Sequence, residues 1–260
     1  VDGTQYVELD GALYTIDGGR GADITKGEET VQVLRDGTPG RCTVRVTVEV
    51  LDPQPGDKKF LDPACGSGNF LTESYISLRR LENDALRCQT SQITLGVFSN
   101  PVQVSIHQFY GIEINDFAAT VAKTALWIAE SQMLKETEDI IAHQIDFLPL
   151  KSYANISEGN ALRLNWEDVV PKEKLNYIMG NPPFVGARMM EQGSIQKKEV
   201  QDIFGDIKDV QDLDYVTCWY KLAAQYIQGT SIEVCFVSTN SICQGSQVPI
   251  LWNVLFNEYP

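Results

Sequence analysis

The stretch Tyr177-Ile178-Met179-Gly180-Asn181-Pro182-Pro183-Phe184 carries the strongest chemical signal in the chain. The apolar run 175–179 reads as a buried parallel strand, and the Gly-Asn-Pro-Pro turn after it cannot continue as strand or helix. The turn displays the amide of Asn181, the carbonyl of Pro182 on a ring-locked backbone, and the ring of Phe184. Two acceptors and an aromatic face suit a planar ring bearing an exocyclic amine. A second constellation, Asp62-Pro63-Ala64-Cys65-Gly66-Ser67-Gly68-Asn69, lies between a short strand at 59–61 and a helical segment. Its small residues let a ligand approach the backbone, and the carboxylate at the strand end can accept from an ammonium. It is no dinucleotide fingerprint, because Leu71 stands where the last glycine belongs, and no Gly-Lys-Ser/Thr makes a phosphate loop. An acid at that place would also repel a pyrophosphate. Glu113 closes the next core strand, 109–114, where an acid can accept both hydroxyls of a ribose.

These strings resemble those of amino-group methyltransferases that use S-adenosylmethionine, most often on N6 of adenine. Phe60-Leu61-Asp62-Pro63-Ala64-Cys65-Gly66-Ser67-Gly68-Asn69-Phe70-Leu71 looks like the first cofactor motif of that family. Phe109-Tyr110-Gly111-Ile112-Glu113-Ile114 looks like the second, and Glu158-Gly159-Asn160-Ala161-Leu162 like the third. Further wording is similar to the MmeI-like restriction-modification enzymes: Thr124-Ala125-Leu126-Trp127, Leu213-Asp214-Tyr215-Val216 and Thr239-Asn240-Ser241-Ile242-Cys243-Gln244-Gly245. In that family methylase, nuclease and target-recognition domains share one chain. The resemblance covers the chain from near Lys59 onward. It implies a Rossmann-like class I methyltransferase sheet with flanking helices, an α/β fold, and S-adenosylmethionine as cofactor. It assigns cofactor binding to Asp62, Pro63, Ala64, Cys65, Gly66, Gly68, Asn69, Phe70, Glu113, Ile114, Asn160 and Ala161. The family commonly has Asp where Asn160 stands; an amide can still accept from the adenine amine, without the charge. Asn181, Pro182, Pro183 and Phe184 take the catalytic roles. The Asn181 oxygen and the Pro182 carbonyl hold the amine hydrogens and favour the charge developing on nitrogen, while Phe184 stacks on a base swung out of the duplex. Such chemistry needs no metal and no strong base.

Elements must position these groups. Asp-Gly pairs at Asp2-Gly3, Asp10-Gly11, Asp17-Gly18 and Asp36-Gly37, with alternating residues such as 43–50, predict hairpins of a small antiparallel β segment over 1–56. Gly18–Asp23 matches a calcium-binding nonapeptide once, which reads as a plain glycine turn because such sites need repeats. Residues 51–57 are a linker by composition, and 57–260 form the methyltransferase domain. Phe70, Leu71, Tyr75, Leu78 and Leu81 recur at helical spacing; residues 83–100 read as a helix end and a loop. Val102, Val104 and Ile106 alternate as a strand. Asp116 is expected to cap a helix whose inner stripe is Phe117, Val121, Ala125, Ile128 and Gln132, with Trp127 in the core. Residues 185–211, polar and weakly periodic, read either as a lid or DNA-facing loop or as a solvated insertion. Tyr215, Trp219, Leu222 and Tyr226 make a helical face, 232–237 a buried strand, and 248–256 a helix.

Composition bounds the rest. The 260 residues hold 21 basic and 35 acidic side chains, a formal net charge of −14, so the piece is repelled by a phosphate backbone. If DNA is the partner, the grip is expected from a recognition domain not present in this chain. Six scattered cysteines without a C-x-x-C pair, and two histidines, point to free thiols and no metal site. No apolar run reaches membrane-spanning length and residues 1–10 do not look like a signal peptide, which predicts a cytoplasmic protein without membrane contact. Oligomeric state is left open. Two other readings remain at this point: the same chemistry on RNA or a protein glutamine amide, and a non-catalytic fragment that only binds cofactor or scaffolds.

Overall fold

The computed structural model describes residues 58–90, 102–141 and 155–259, together with the backbone of four strands among residues 5–44. The chain divides into two units, Val1–Asp52 and Pro53–Pro260. In the first, β1 (Gln5–Leu9), β2 (Ala12–Ile16), β3 (Glu29–Arg35) and β4 (Thr38–Val44) pair antiparallel in chain order. Leu9 pairs with Ala12 and Arg35 with Thr38, so Asp10-Gly11 and Asp36-Gly37 are the residues between partners. The single calcium-like stretch Gly18–Asp23 lies outside the described residues.

The second unit is an α/β sheet. Its elements are β5 (Phe60–Asp62), α1 (Asn69–Thr90), β6 (Phe109–Glu113), α2 (Asp116–Ile141), β7 (Asn155–Glu158), β8 (Tyr177–Gly180), α3 (Ile195–Phe204), α4 (Thr217–Tyr226), β9 (Glu233–Phe236) and α5 (Gln247–Glu258). Strand order is β7-β6-β5-β8-β9, all parallel. From β5 the chain first builds outward through β6 and β7, then returns to β5's other side with β8. The crevice beyond the strand ends at such a reversal is where open α/β sheets bind ligands. Alternate strand residues feed two cores. Leu61, Ile112 and Ile178 join Trp166, Leu213, Trp219 and Leu251 on one face; Phe109 and Ile156 join Leu71, Tyr75, Ala122 and Leu126 on the other.

Several expectations move. The inner face of α1 is Leu71, Tyr75, Arg79, Asn83 and Leu86, while Leu81 is 67% exposed and Phe70 39%. That of α2 is Ala119, Ala122, Leu126, Ala129, Met133 and Thr137; Phe117 and Ile128 face outward, and Val121 and Ala125 are half-buried. Alanine is required at 122 because the first glycine bend comes close to α2 there: a Cβ on Gly68 would lie 2.9 Å from Ala122 Cβ. Asn115, not Asp116, caps α2, its Oδ1 accepting from Ala118 N at 2.9 Å. Residues 106–108 form a 3-10 turn capped by Ser105 where the alternation predicts strand. Helix α3 lies inside the polar stretch 185–211, with Ser194 as its cap. Strand β9 is a half-buried edge strand of the described sheet rather than a buried one: Val234 and Phe236 pack against the core while Glu233 and Cys235 are exposed.

Arg79 is the largest fully buried side chain among the described residues. It pairs with Glu82, and its Nη2 donates to Thr137 Oγ1 at 2.6 Å across the α1–α2 interface. Glu82 Oε1 accepts in turn from Gln103 N at 2.6 Å, so one ion pair fastens both helices and the chain leading into β6. Arg79→Ala empties a buried space between the helices and leaves the half-buried Glu82 carboxylate without its cation, and is expected to cost about 3 kcal/mol in urea unfolding, against at most about 0.5 kcal/mol for Leu81→Ala two residues away. Equal costs would contradict this account of the interface.

Candidate active site

Strand β5 ends in the bend that opens the site. Cys65 N donates to Ile112 O at 3.1 Å and Gly68 N to Cys65 O at 2.8 Å, which folds the bend back over β6. Gly66 and Gly68 take φ of 54° and 84°, a region that favours glycine. Gly66 N donates to Glu113 Oε2 and Asn115 N to Glu113 Oε1, both at 2.9 Å, so the acid closing β6 braces the bend and keeps lone pairs for a ligand. Cys65 is buried, and burial pushes its thiol up, which argues for packing rather than reactivity.

Asp62 lies beneath the bend, 1% exposed, its Oδ1 accepting from Ala64 N at 2.9 Å. Burial, opposed by that hydrogen bond and helped by the nearby Glu113, pushes its carboxyl up to about 7. The carboxyl rests on the backbone of Gly180: a Cβ there would sit 3.0 Å from Asp62 Cγ. Strand β8 therefore has to end in glycine, and the corner that follows lands beside the bend. Pro182 is buried, whereas Asn181, Pro183 and Phe184 are exposed. Beyond the corner, Tyr215 N donates to Val185 O at 2.8 Å and Ala187 N to Asp214 Oδ1 at 2.7 Å. Asp214 Oδ2 takes Ser241 Oγ at 2.6 Å and Gln247 Nε2 at 2.7 Å. From α4, which follows Tyr215, Trp219 Nε1 donates to Pro63 O at 3.1 Å, so the segment around α4 fastens both loops.

The loops enclose a cleft of about 690 Å³. Of the residues singled out from sequence, Pro63, Ala64, Glu113, Ile114, Asn160, Ala161, Asn181 and Pro183 line it. Asp62, Cys65, Gly66, Gly68, Asn69, Phe70, Pro182 and Phe184 are not among its lining residues. Sequence reasoning missed the opposite wall, made by Ile195, Gln196 and Glu199 of α3 with Tyr215 and Trp219. Ser194 followed by Val200, Ile203 and Phe204 at helical spacing was the available sign of α3. Asn160 donates from Nδ2 to Glu199 Oε1 at 2.6 Å. Among the described residues no group of three His, Cys, Asp or Glu could hold a metal ion, and no helix is long and apolar enough to cross a membrane.

Residues 47–259 match the family described as MmeI, DNA-methyltransferase domain. The chain belongs to that family. DNA methyltransferase A of Bacillus subtilis (strain 168) is 44% identical over 204 residues, 77% of this chain and 23% of that protein. The Escherichia coli type II restriction enzyme and methyltransferase RM.Eco57I is 28% identical over 181 residues, 62% of this chain and 17% of its own. The structure of the type IIL restriction-modification enzyme MmeI in complex with DNA superposes with a TM-score of 0.72 at 42% identity, over 78% of this chain and 27% of that one. This MmeI-family domain thus spans between about a sixth and about a quarter of the length of these relatives.

The carboxyl of Asp62 gives the domain a pH signature. Its folded value, about 7, lies above the ordinary 3.8, so between these values the folded chain binds more protons than the unfolded one. Stability from this group therefore falls as pH rises through that window. Denaturant unfolding across it is expected to show wild type losing ground to Asp62→Asn with rising pH; a constant difference would contradict the buried carboxyl.

Proposed function

We propose that this domain transfers a methyl group from S-adenosylmethionine to the N6 amine of adenine in DNA, as the methylase part of a larger restriction-modification protein. The observation that carries the reading is that the Asn181 corner and the Pro63–Ala64 bend face one cleft at the reversal of strand order. The donor set fits the cofactor. The Ala64 carbonyl at the bend accepts from the ammonium of the amino acid end, Glu113 accepts from ribose hydroxyls, Asn160 accepts from the adenine amine, and Ile114 and Ala161 flank that ring. Asp62 serves from behind, holding Ala64 N and the spacing to Gly180.

The bound sulfonium supplies an already activated methyl group with a neutral thioether as leaving group. The protein's task is to prepare the nucleophile, since the lone pair of an aromatic amine is delocalised into its ring. The Asn181 side-chain oxygen and the Pro182 carbonyl accept the two amine hydrogens, which turns the lone pair toward the methyl carbon and stabilises positive charge on nitrogen. As the nitrogen–carbon bond forms and the carbon–sulfur bond breaks, that charge is relieved by loss of one amine proton to solvent. Phe184, 43% exposed beside the corner, offers its face to an extruded base. Sequence recognition comes from a domain outside this chain, and the free thiols suit a cytoplasmic setting.

Within the full-length protein, duplex DNA and labelled methyl donor are expected to yield N6-methyladenine on digestion; another methylated base would overturn the adenine reading. Asn181→Ala is expected to lower kcat by about 100- to 1,000-fold while S-adenosylhomocysteine binding, followed by calorimetry, stays within about threefold. Parallel loss of both would contradict the role given to Asn181.

A further inference from the structure

Glu199 is a carboxylate in a costly place. It projects from α3 into the cleft wall, is 3% exposed, and faces donors only. Oε1 accepts from Asn160 Nδ2 at 2.6 Å and Arg163 Nε and Nη2 at 3.1 Å; Oε2 accepts from the Tyr215 hydroxyl at 2.5 Å. An ionised carboxylate only accepts, so the Asn160 group turned toward it is the NH2. On its other side the same amide meets Leu162 N at 2.9 Å, a donor that demands oxygen. Both neighbours fix the amide in one orientation by chemistry alone. The oxygen keeps a second lone pair, and Asn160 lines the cleft.

The geometry points to Glu199 as a specificity-positioning residue: by holding the Asn160 amide it keeps position 160 an acceptor, so the site selects a nucleoside bearing a 6-amino purine over a 6-oxo purine. This rests on the cofactor reading above, which gives Glu199 no part. An aspartate at 160 would accept whichever way it turned. An asparagine stays an acceptor only while its neighbours hold the amide, and Glu199 is one of two that do, Leu162 N being the other. Without Glu199 only the Leu162 N–H resists rotation, so turning the NH2 toward the carbonyl of a 6-oxo purine costs one hydrogen bond instead of two.

The test is calorimetric binding of S-adenosylhomocysteine and its deaminated counterpart S-inosylhomocysteine to the 260-residue chain. Wild type is expected to favour the adenosyl compound by about tenfold or more, the scale of one hydrogen bond against one acceptor–acceptor clash. Glu199→Leu, which leaves only Leu162 N to hold the amide, is expected to reduce that preference by about threefold or more. Glu199→Gln keeps the preference, since its oxygen accepts from Asn160 while its NH2 donates to Tyr215. A Glu199→Leu chain with undiminished preference, or a wild type that binds both compounds equally, overturns the inference and leaves the cofactor reading standing. Binding of neither overturns both. If Glu199→Leu does not fold, Asn160→Asp decides: two facing carboxylates are expected to weaken adenosyl binding about tenfold between pH of about 5 and about 8. Adding Glu199→Gln restores it. An Asn160→Asp chain whose binding is as strong and as pH-independent as wild type overturns the inference.

Discussion

The carboxyl of Asp62 lies against the bare backbone of Gly180, and the site depends on that approach. Each of the two central strands ends in a loop that could display chemistry, but loops on neighbouring strands share a cleft only if their first residues pass without a side chain between them. Glycine at 180 supplies the room and Asp62 fills it. The carboxyl is satisfied locally by Ala64 N and otherwise sealed from water, which is why burial lifts its titration so far. A group held near neutrality can sit there at much lower cost than a full charge would, and still shape the backbone of the bend.

Approach alone would leave both loops free to swing outward, and the segment around α4 removes that freedom. Trp219 bonds the carbonyl of Pro63 while Tyr215 N and the Asp214 carboxylate bond the residues just past the corner. Asp214 also gathers Ser241 and Gln247, so the turn after β9 and the start of α5 are drawn into the same network. These bonds are short and mutually dependent, and a network of this kind holds geometry better than any single contact in it. The glycine-rich bend is braced from the other side by Glu113. The cleft walls are thus tied to the sheet and to a helix behind it, as a site that must orient two reactants requires.

The parts legible in the sequence were those in which a local pattern coincides with a structural need. An apolar run cut off by Gly-Asn-Pro-Pro can only be a strand end, and the glycines of 62–69 mark a bend in any fold. Where the decision was tertiary, the pattern misled. The apolar spacing of α2 points to Phe117, Val121, Ala125 and Ile128, yet the buried side carries Ala119, Ala122 and Ala129, and at Ala122 the close approach of Gly68 leaves no room for a larger side chain. Asn115 and Asp116 are both good caps, and only the backbone shows which one is used. An apolar sequence does not say whether a strand lies at a sheet's edge, so β9 read as buried. Glu199 is the hardest case. It stands in a polar stretch, and the partners that let it be buried are 39 and 16 residues away in sequence.

Carboxylates on the cleft wall also decide what can enter. Glu113 and Glu199 line the cleft, Asp62 lies just behind, and the whole chain carries a net charge of −14. With an effective dielectric of about 20, a phosphate about 8 Å from one such charge is disfavoured by about 2 kcal/mol, and a sulfonium or ammonium is favoured by as much. An acidic interior therefore suits a cationic methyl donor and excludes a sugar-phosphate backbone. For a nucleic-acid substrate the only fragment that can come in cheaply is the uncharged base, leaving its phosphates at the rim. On the function proposed above, extrusion of the base follows from electrostatics as well as from reach, and the attraction that holds the duplex has to come from basic surface outside the cleft.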